Sequence, residues 1–310
     1  MKKSTRLSII LIVLIAMSVF ISFLGKRDTP STSFDADMFA VEDTTAIASV
    51  RVSAPGHEVE LKRNENGWSL NDEYKADPNM VQVLRSILSQ VKVQRPVARL
   101  NRDEIVSTLE QTGYKVSVSF QDGSVSEFIA GGDNSKKMAF YLRDNDAYVV
   151  QIPGYNHYLS GIFELTPNQW RDRLLFSSTW RSLKSLKLDY ANQQETLNIY
   201  FDKKFLTVEN VAKLDTTALM DYLGQYQYFQ VNDYLEKGKY PKYDDLARQS
   251  PLAHLSIRDI DQNRDADLNI YPLMDGEAFY LITDSKGEMM VIDSSRMDKL
   301  LSKKDQFISE

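Results

Sequence analysis

Ala139-Phe140-Tyr141-Leu142 returns as Ala278-Phe279-Tyr280-Leu281, 139 residues further on. The same interval joins other landmarks. Asp77 and Asp215 stand 138 apart, as do Val59 and Leu197, and Leu61 and Ile199; Val116-Ser117-Val118 matches Leu255-Ser256-Ile257 at 139. One offset carried through strand, helix cap and strand argues for a duplicated unit. Two copies are too few to stack as a solenoid, so the pattern predicts tandem domains or one pseudo-symmetric pair. At 310 residues the chain has room for two ordinary domains, each with its own core.

The periodicity inside each copy predicts the elements. Val50, Val52 and Ala54 alternate with polar residues, Pro55-Gly56 turns the chain, and Val59 and Leu61 resume the alternation. Asn64-Glu65-Asn66-Gly67 is a second turn, ahead of Trp68 and Leu70. Asp77 then reads as a helix N-cap with Pro78 at the first helical position, where its missing N–H costs nothing. Met80, Leu84, Ile87, Leu88 and Val91 form one apolar face. A shorter helix follows, with Asn101 and Glu104 spaced as a capping box and Gly113 at its stop. Strands at 116–120, 125–129 and 138–142 close the first unit. The second repeats the order, from alternation at Leu186, Leu188 and Tyr190, through a helix capped by Asp215, to strands at 255–257, 268–271 and 278–282. The tail 297–307 is expected to be a terminal helix.

Ahead of these units, residues 7–24 carry no charge and no proline. Eighteen residues at about 1.5 Å each span roughly 27 Å, close to the hydrocarbon thickness of a bilayer. Lys2, Lys3 and Arg6 precede the run, which favours a cytoplasmic N-terminus. A signal peptide cleaved at Ala16-Met17-Ser18 is the rival reading; it would cut inside the apolar run and leave 19–24 exposed. Residues 25–45, rich in Ser, Thr, Asp and Pro, read as a flexible tether. The expected class is thus α+β: a transmembrane helix followed by two tandem units, each an antiparallel meander, a helix, a short helix and a second antiparallel meander. The expected divisions are a cytoplasmic 1–6, an anchor at 7–24, the tether 25–45, a first unit 46–176 and a second 177–310. The implied location is the cell inner membrane, single-pass, with the C-terminal portion periplasmic and lipid held through 7–24.

Charge and composition narrow the functions. Setting aside the five basic residues up to Arg27 leaves 32 basic against 43 acidic, a net −11 that disfavours nucleic acid and a second electrostatic contact with anionic lipid. There is no cysteine, which removes disulfides, thiol nucleophiles and cysteine metal sites. His57, His157 and His254 fall in different elements without a partner at ligand spacing. Asp259, Asp261, Asn263, Asp265 and Asp267 alternate as in a calcium loop, but Arg264 stands where glycine is needed and Ile270 where glutamate is needed. Gly131-Gly132-Asp133 lacks the Lys-Ser/Thr of a phosphate loop and sits between strands. No Gly-x-Ser-x-Gly elbow is present. No catalytic, cofactor-binding or metal-ligating residue is assigned, and paired carboxylates for glycoside cleavage, which meet only in a fold, stay open.

Aromatic residues remain. Tyr155, His157 and Tyr158 follow the Ile152-Pro153-Gly154 strand end and are the candidate contact surface, with packing of that loop as the alternative. Trp170, Phe176 and Trp180 lie in the stretch bridging the copies.

Trp68, the Ala76-Asp77 helix start, Ile152-Pro153-Gly154-Tyr155, Tyr158-Leu159 and Trp170-Arg171-Asp172-Arg173 together resemble the Bacteroidota branch of the uncharacterised family called domain of unknown function 4340. The resemblance spans 47–190 well and the second copy weakly, where Leu206 replaces Trp68 and the Ile-Pro-Gly segment has no counterpart. It implies an N-terminal membrane helix, an envelope location and repeated α+β domains. It brings no catalytic residues. Three functions stay in view: a non-enzymatic accessory component of an envelope assembly that contacts a protein partner, a glycan- or ligand-binding module, and an unrecognised hydrolase.

Overall fold

The computed structural model describes residues 34–133 and 135–309. The apolar run 7–24, the N-terminus ahead of it and residues 25–33 lie outside them. Among the described residues no helix is long and apolar enough to cross a membrane.

The expected tether needs correcting from Phe34 onward. Phe39 is 2% exposed, edge-on to the rings of Phe128, Tyr141 and Tyr148. The Val41 N–H donates to the Leu88 carbonyl, and the Val93 N–H to that of Ala36, each at 2.8 Å. Burial of Phe39 and Val41 offsets the ordering of this stretch, so 34–46 belongs to the first unit despite its polar composition.

Antiparallel pairing builds both sheets. In the first unit, β1 (Ile47–Ala54), β2 (His57–Asn64), β3 (Gly67–Leu70) and β4 (Tyr74–Lys75) form one wing; α1 (Pro78–Gln90), β5 (Lys92–Pro96) and α2 (Arg99–Thr112) follow. Strands β6 (Tyr114–Phe120), β7 (Val125–Gly132), β8 (Ala139–Arg143) and β9 (Asp146–Gln151) then complete the sheet in the order β4-β3-β2-β1-β6-β7-β8-β9-β5. A 3₁₀ turn (Leu159–Glu164) and α3 (Pro167–Trp170) lead out, and β10 (Leu174–Phe176) opens the second unit. Its strands are β11 (Leu183–Tyr190), β12 (Leu197–Asp202), β13 (Phe205–Val208), and, after α4 (Thr216–Gly224), β14 (Phe229–Gln230) and β15 (Asp233–Leu235). Next come α5 (Pro241–Leu246), β16 (Ala253–Asp259), β17 (Ala266–Ile270), β18 (Phe279–Asp284), β19 (Met289–Asp293) and α6 (Ser294–Met297). The order of the second sheet is β13-β12-β11-β16-β17-β18-β19-β15. Apart from β4, this is the first sheet's order strand for strand. Even a bulge recurs, between Ile47 and Ser49 against β6 and between Leu183 and Ser185 against β16.

The alternation explains the layers. Val50, Val52, Val59, Leu61, Val116 and Val118 point to one face and meet Val81, Leu84 and Leu88 of α1. Leu186, Leu188, Leu197, Ile199, Leu255 and Ile257 do the same against Leu219 and Leu223 of α4. Asp77 accepts from the Asn79 and Met80 N–H groups and Asp215 from those of Thr217 and Ala218, so both helix starts are satisfied as expected. On the opposite face α2 lays Leu109 over Phe140, Leu142 and Val149, while α5 lays Tyr243 and Leu246 over Leu281 and Val291. Strands β8 and β18 are therefore buried on both faces, which is why Ala139–Leu142 and Tyr280–Thr283 do not alternate.

Several expectations change in detail. Helix α2 has 14 residues against 13 in α1, and it starts at Arg99 after an Ala98 that makes no side-chain cap. Asn101 lies in its first turn. Only α5, its counterpart in the second unit, is short. Strands β5 and β15, each hydrogen-bonded at a sheet edge, escaped the periodicity because the first is mostly polar and the second is three residues long. The terminal helix is instead α6 and a separate 3₁₀ turn (Lys304–Phe307). The boundary at 176 shifts as well: Trp170 is buried in the first core, but Phe176 stacks on Phe229 in the second.

Trp170 and Phe307 reveal one more correspondence. The Asp77 N–H donates to the Trp170 carbonyl at 2.8 Å and the Asp215 N–H to that of Phe307 at 2.9 Å. Isolated bridges join Ala76 to Arg171 and Leu214 to Ile308. Each unit thus ends by laying a buried aromatic against the start of its own helix.

Candidate contact surface

Chemistry at the end of β9 is set by a tight turn. Ile152 and Tyr155 face each other as an isolated bridge, the Tyr155 N–H donating to the Ile152 carbonyl at 2.9 Å. Pro153 presets its own φ and Gly154 takes φ +81°, a conformation that favours glycine. The turn leaves Tyr155 47% exposed, its ring tilted against His157 with centroids 4.6 Å apart. Two of the three candidate residues are therefore neighbours at the surface.

Tyr158 has another role. Its hydroxyl donates to Glu164 Oε1 at 2.8 Å, and its half-buried ring packs on the first core. Burial, and then the bond to Glu164, hold its phenol well above the ordinary range. Lys136 lies over the ring and ion-pairs with Glu164. A Cβ added at Gly132 would overlap this ring. Tyr158 fixes the base from which Tyr155 and His157 project.

A second constellation lies where the units meet. The Arg171 guanidinium is held between the rings of Tyr74, from β4, and Tyr234, from β15, at 3.7 and 3.6 Å from their centroids. It ion-pairs with Glu288, which precedes β19 and also accepts from the Tyr74 hydroxyl at 3.2 Å. The Tyr234 hydroxyl donates to the Asp172 carbonyl at 2.7 Å. Cavities of about 420 and 300 Å³ flank the guanidinium. The seam between the copies is thus filled at its centre. Neither Trp170 nor Phe176 faces it openly, both being buried within their own units. The β18–β19 hairpin reaches Arg171 because it is long: Tyr141 and its partner Tyr148 stand seven positions apart, but Tyr280 and Ile292 stand twelve apart.

The outer sheet faces are polar. In the first unit, a groove of about 580 Å³ runs beside α2 over Arg51, Lys115, Ser117 and Glu127. In the second, Asp267 accepts from the Ser256 hydroxyl and, through both of its oxygens, from Arg258 Nη2, and His254 Nδ1 lies 3.2 Å from Asn269 Oδ1. The Arg258 bond, outweighing burial, holds the Asp267 carboxyl below its usual range. Of the other histidines, His57 is edge-on to Tyr114 and burial lowers its pKa.

The acidic run 259–267 is a turn bonded to itself. Asp259, the one buried carboxylate among the described residues, accepts from Ser182 and from the Asp261 N–H, and Asp265 accepts from the Asp259 N–H. Among the described residues no group of three or more His, Asp or Glu is placed to hold a metal ion. Asp133 organises its own loop, accepting from the Lys137 and Met138 N–H groups; the Ser135 hydroxyl and these amides hold its pKa at about 2.

No curated protein matches the chain. A family model described as a domain of unknown function (DUF4340) matches residues 68–249, from Trp68 in β3 to Gln249 just beyond α5. That stretch covers more than half of the sequence and enters both sheets. With the repeated strand order, the helix starts at Asp77 and Asp215 and the turn at Tyr155 in place, the chain belongs to the DUF4340 family.

Proposed function

We propose that this chain is a single-pass protein of the cell inner membrane, anchored through residues 7–24 with its N-terminus cytoplasmic and its two sheets periplasmic. The two units derive from one duplicated α+β domain. They act by contact within an envelope assembly, and the chain carries no catalytic site of its own. The observation supporting contact is the Tyr155–His157 pair, held outward by the Pro153-Gly154 turn on a base locked by Tyr158 and Glu164. An exposed aromatic pair on a rigid support offers area at small entropic cost, the pattern of protein-binding anchors.

A photo-crosslinking residue at position 155 in the full chain, in cells, should capture an envelope protein. Tyr155→Ala with His157→Ala, monitored by a crosslinker at a neighbouring position, should lower that capture while circular dichroism stays unchanged. Undiminished capture removes this surface from the reading. Turnover of a polysaccharide or ester by the purified chain, abolished by changing one carboxylate or serine, overturns contact as the function. Carbonate-resistant membrane retention and digestion by protease added to spheroplasts test the placement.

A further inference from the structure

One end of the second sheet is apolar and basic where the first is polar. The loop before β11, the β12–β13 turn and the β16–β17 turn all lie at this end, since β11 begins there and β12 and β16 finish there. Trp180 and Phe205 meet with ring centroids 6.4 Å apart, and Phe201 and Ile260 are 54% and 64% exposed. The Ile260 N–H donates to the Ser182 carbonyl at 2.8 Å, which ties its turn to the Trp180 loop. Arg181 lies over the Trp180 ring, Lys184 is exposed nearby, and Lys203 and Lys204 form the tip of the β12–β13 turn. None of these four cations forms an ion pair with another described residue. The exposed carboxylates in the same turns are Asp202, Asp261 and Asp265; Asp261 lies 3.7 Å from Arg264, and Asp265 accepts from the Asp259 N–H at 2.8 Å.

The fold itself does not demand this surface. By strand register, Phe205 stands where the first unit has Gly67, and Phe201 where it has Arg63. Lys203 and Lys204 replace Glu65 and Asn66, and Ile260 replaces Gln121. The same backbone thus carries a polar, partly acidic end in one copy and an aromatic, basic end in the other.

We propose that this end of the second sheet docks onto an anionic bilayer surface. Tryptophan and phenylalanine ringed by lysine and arginine suit the boundary between headgroups and acyl chains, where the rings leave water and the cations meet lipid phosphate. The net charge of −11 argued against such a contact, but attraction within a Debye length depends on the local patch. The proposal rests on the membrane placement inferred above: a weak patch becomes effective when an anchor already holds the chain at the same bilayer.

The chain has no cysteine, so a nitroxide can be placed at one site without background. The full chain carrying Asp202→Cys, reconstituted into vesicles of phosphatidylglycerol mixed with phosphatidylcholine, should show the label gaining oxygen collisions and losing those with a polar nickel complex. A label at Leu100→Cys, 94% exposed on α2, should stay accessible to nickel. Vesicles of phosphatidylcholine alone, or Lys203→Glu with Lys204→Glu, should return the Asp202→Cys label to water. A label equally wet in both lipids overturns the proposal. So does protection that survives charge reversal, or protection arising only when envelope proteins are added, which would assign the patch to a protein partner. Carbonate-resistant retention of the same samples reports residues 7–24 separately, so failure of the anchor and failure of the patch remain distinguishable.

Discussion

At the scale of single residues, packing and electrostatics give different tests. Leu84, 1% exposed in the first core, should cost about 2–5 kcal/mol when replaced by alanine, read from urea unfolding at unchanged slope. Gly132→Ala should also destabilise, since its Cβ meets both the Tyr158 ring and the Met138 carbonyl; the double variant Gly132→Ala/Tyr158→Ala should recover part of the loss. Tyr74 offers a pH test. Burial, then the neighbouring carboxylates of Glu73 and Glu288, push its phenol up to about 12 against the opposing pull of Arg171. The unfolded phenol ionises near 10.0, so this contribution to stability is whole below that pH and is lost as pH climbs through 12. The difference between wild-type and Tyr74→Phe absorbance titrations at 295 nm should therefore centre near 12; a midpoint near 10 would show that the phenol is not buried at the seam.

At the scale of elements, the sequence was readable where one residue decides. Asp77 and Asp215 announced both helix starts, and Asp77→Ala should cost about 1 kcal/mol, seen as a lower urea midpoint. The alternation of β1, β2, β6 and their counterparts placed the inward residues correctly because one face of each strand is wet. Legibility failed where the cause is tertiary. The short edge strands β5 and β15 hold their place by pairing with β9 and β19, which no local periodicity records. The equivalence of Trp170 and Phe307 hides in two stretches that share little beyond Gln169 and Gln306, and it emerges only through the backbone bonds to Asp77 and Asp215. Of the candidate surface, exposure of Tyr155 followed from its turn. The inward role of Tyr158 depended on Glu164 and Gly132, which the chain brings beside it only on folding.

For the whole molecule, the question is what makes two units behave as one body. Three distant segments converge on Arg171: Tyr74 from the first sheet, and Tyr234 and Glu288 from the second. The side chain is only 12% exposed, so its contacts with the rings are little weakened by solvent, and a planar guanidinium fits between two aromatic faces as an ammonium cannot. The five extra residues of the β18–β19 hairpin bring Glu288 to this site, and the first unit's shorter β8–β9 hairpin has no such reach. Arg171→Ala should therefore loosen the seam while leaving both cores intact. A single calorimetric transition should split in two, because each unit retains its own apolar cluster. Arg171→Lys should fall between, keeping charge but losing the stack, and Glu288→Gln should do least, since both rings remain. Nitroxides at Leu100→Cys and Tyr228→Cys, exposed positions in different units, should give a narrow distance distribution in the parent chain and a broad one in Arg171→Ala. An unchanged distribution with an unsplit transition would mean that the units are fixed elsewhere, as through the Asn168 bond to the Tyr234 carbonyl.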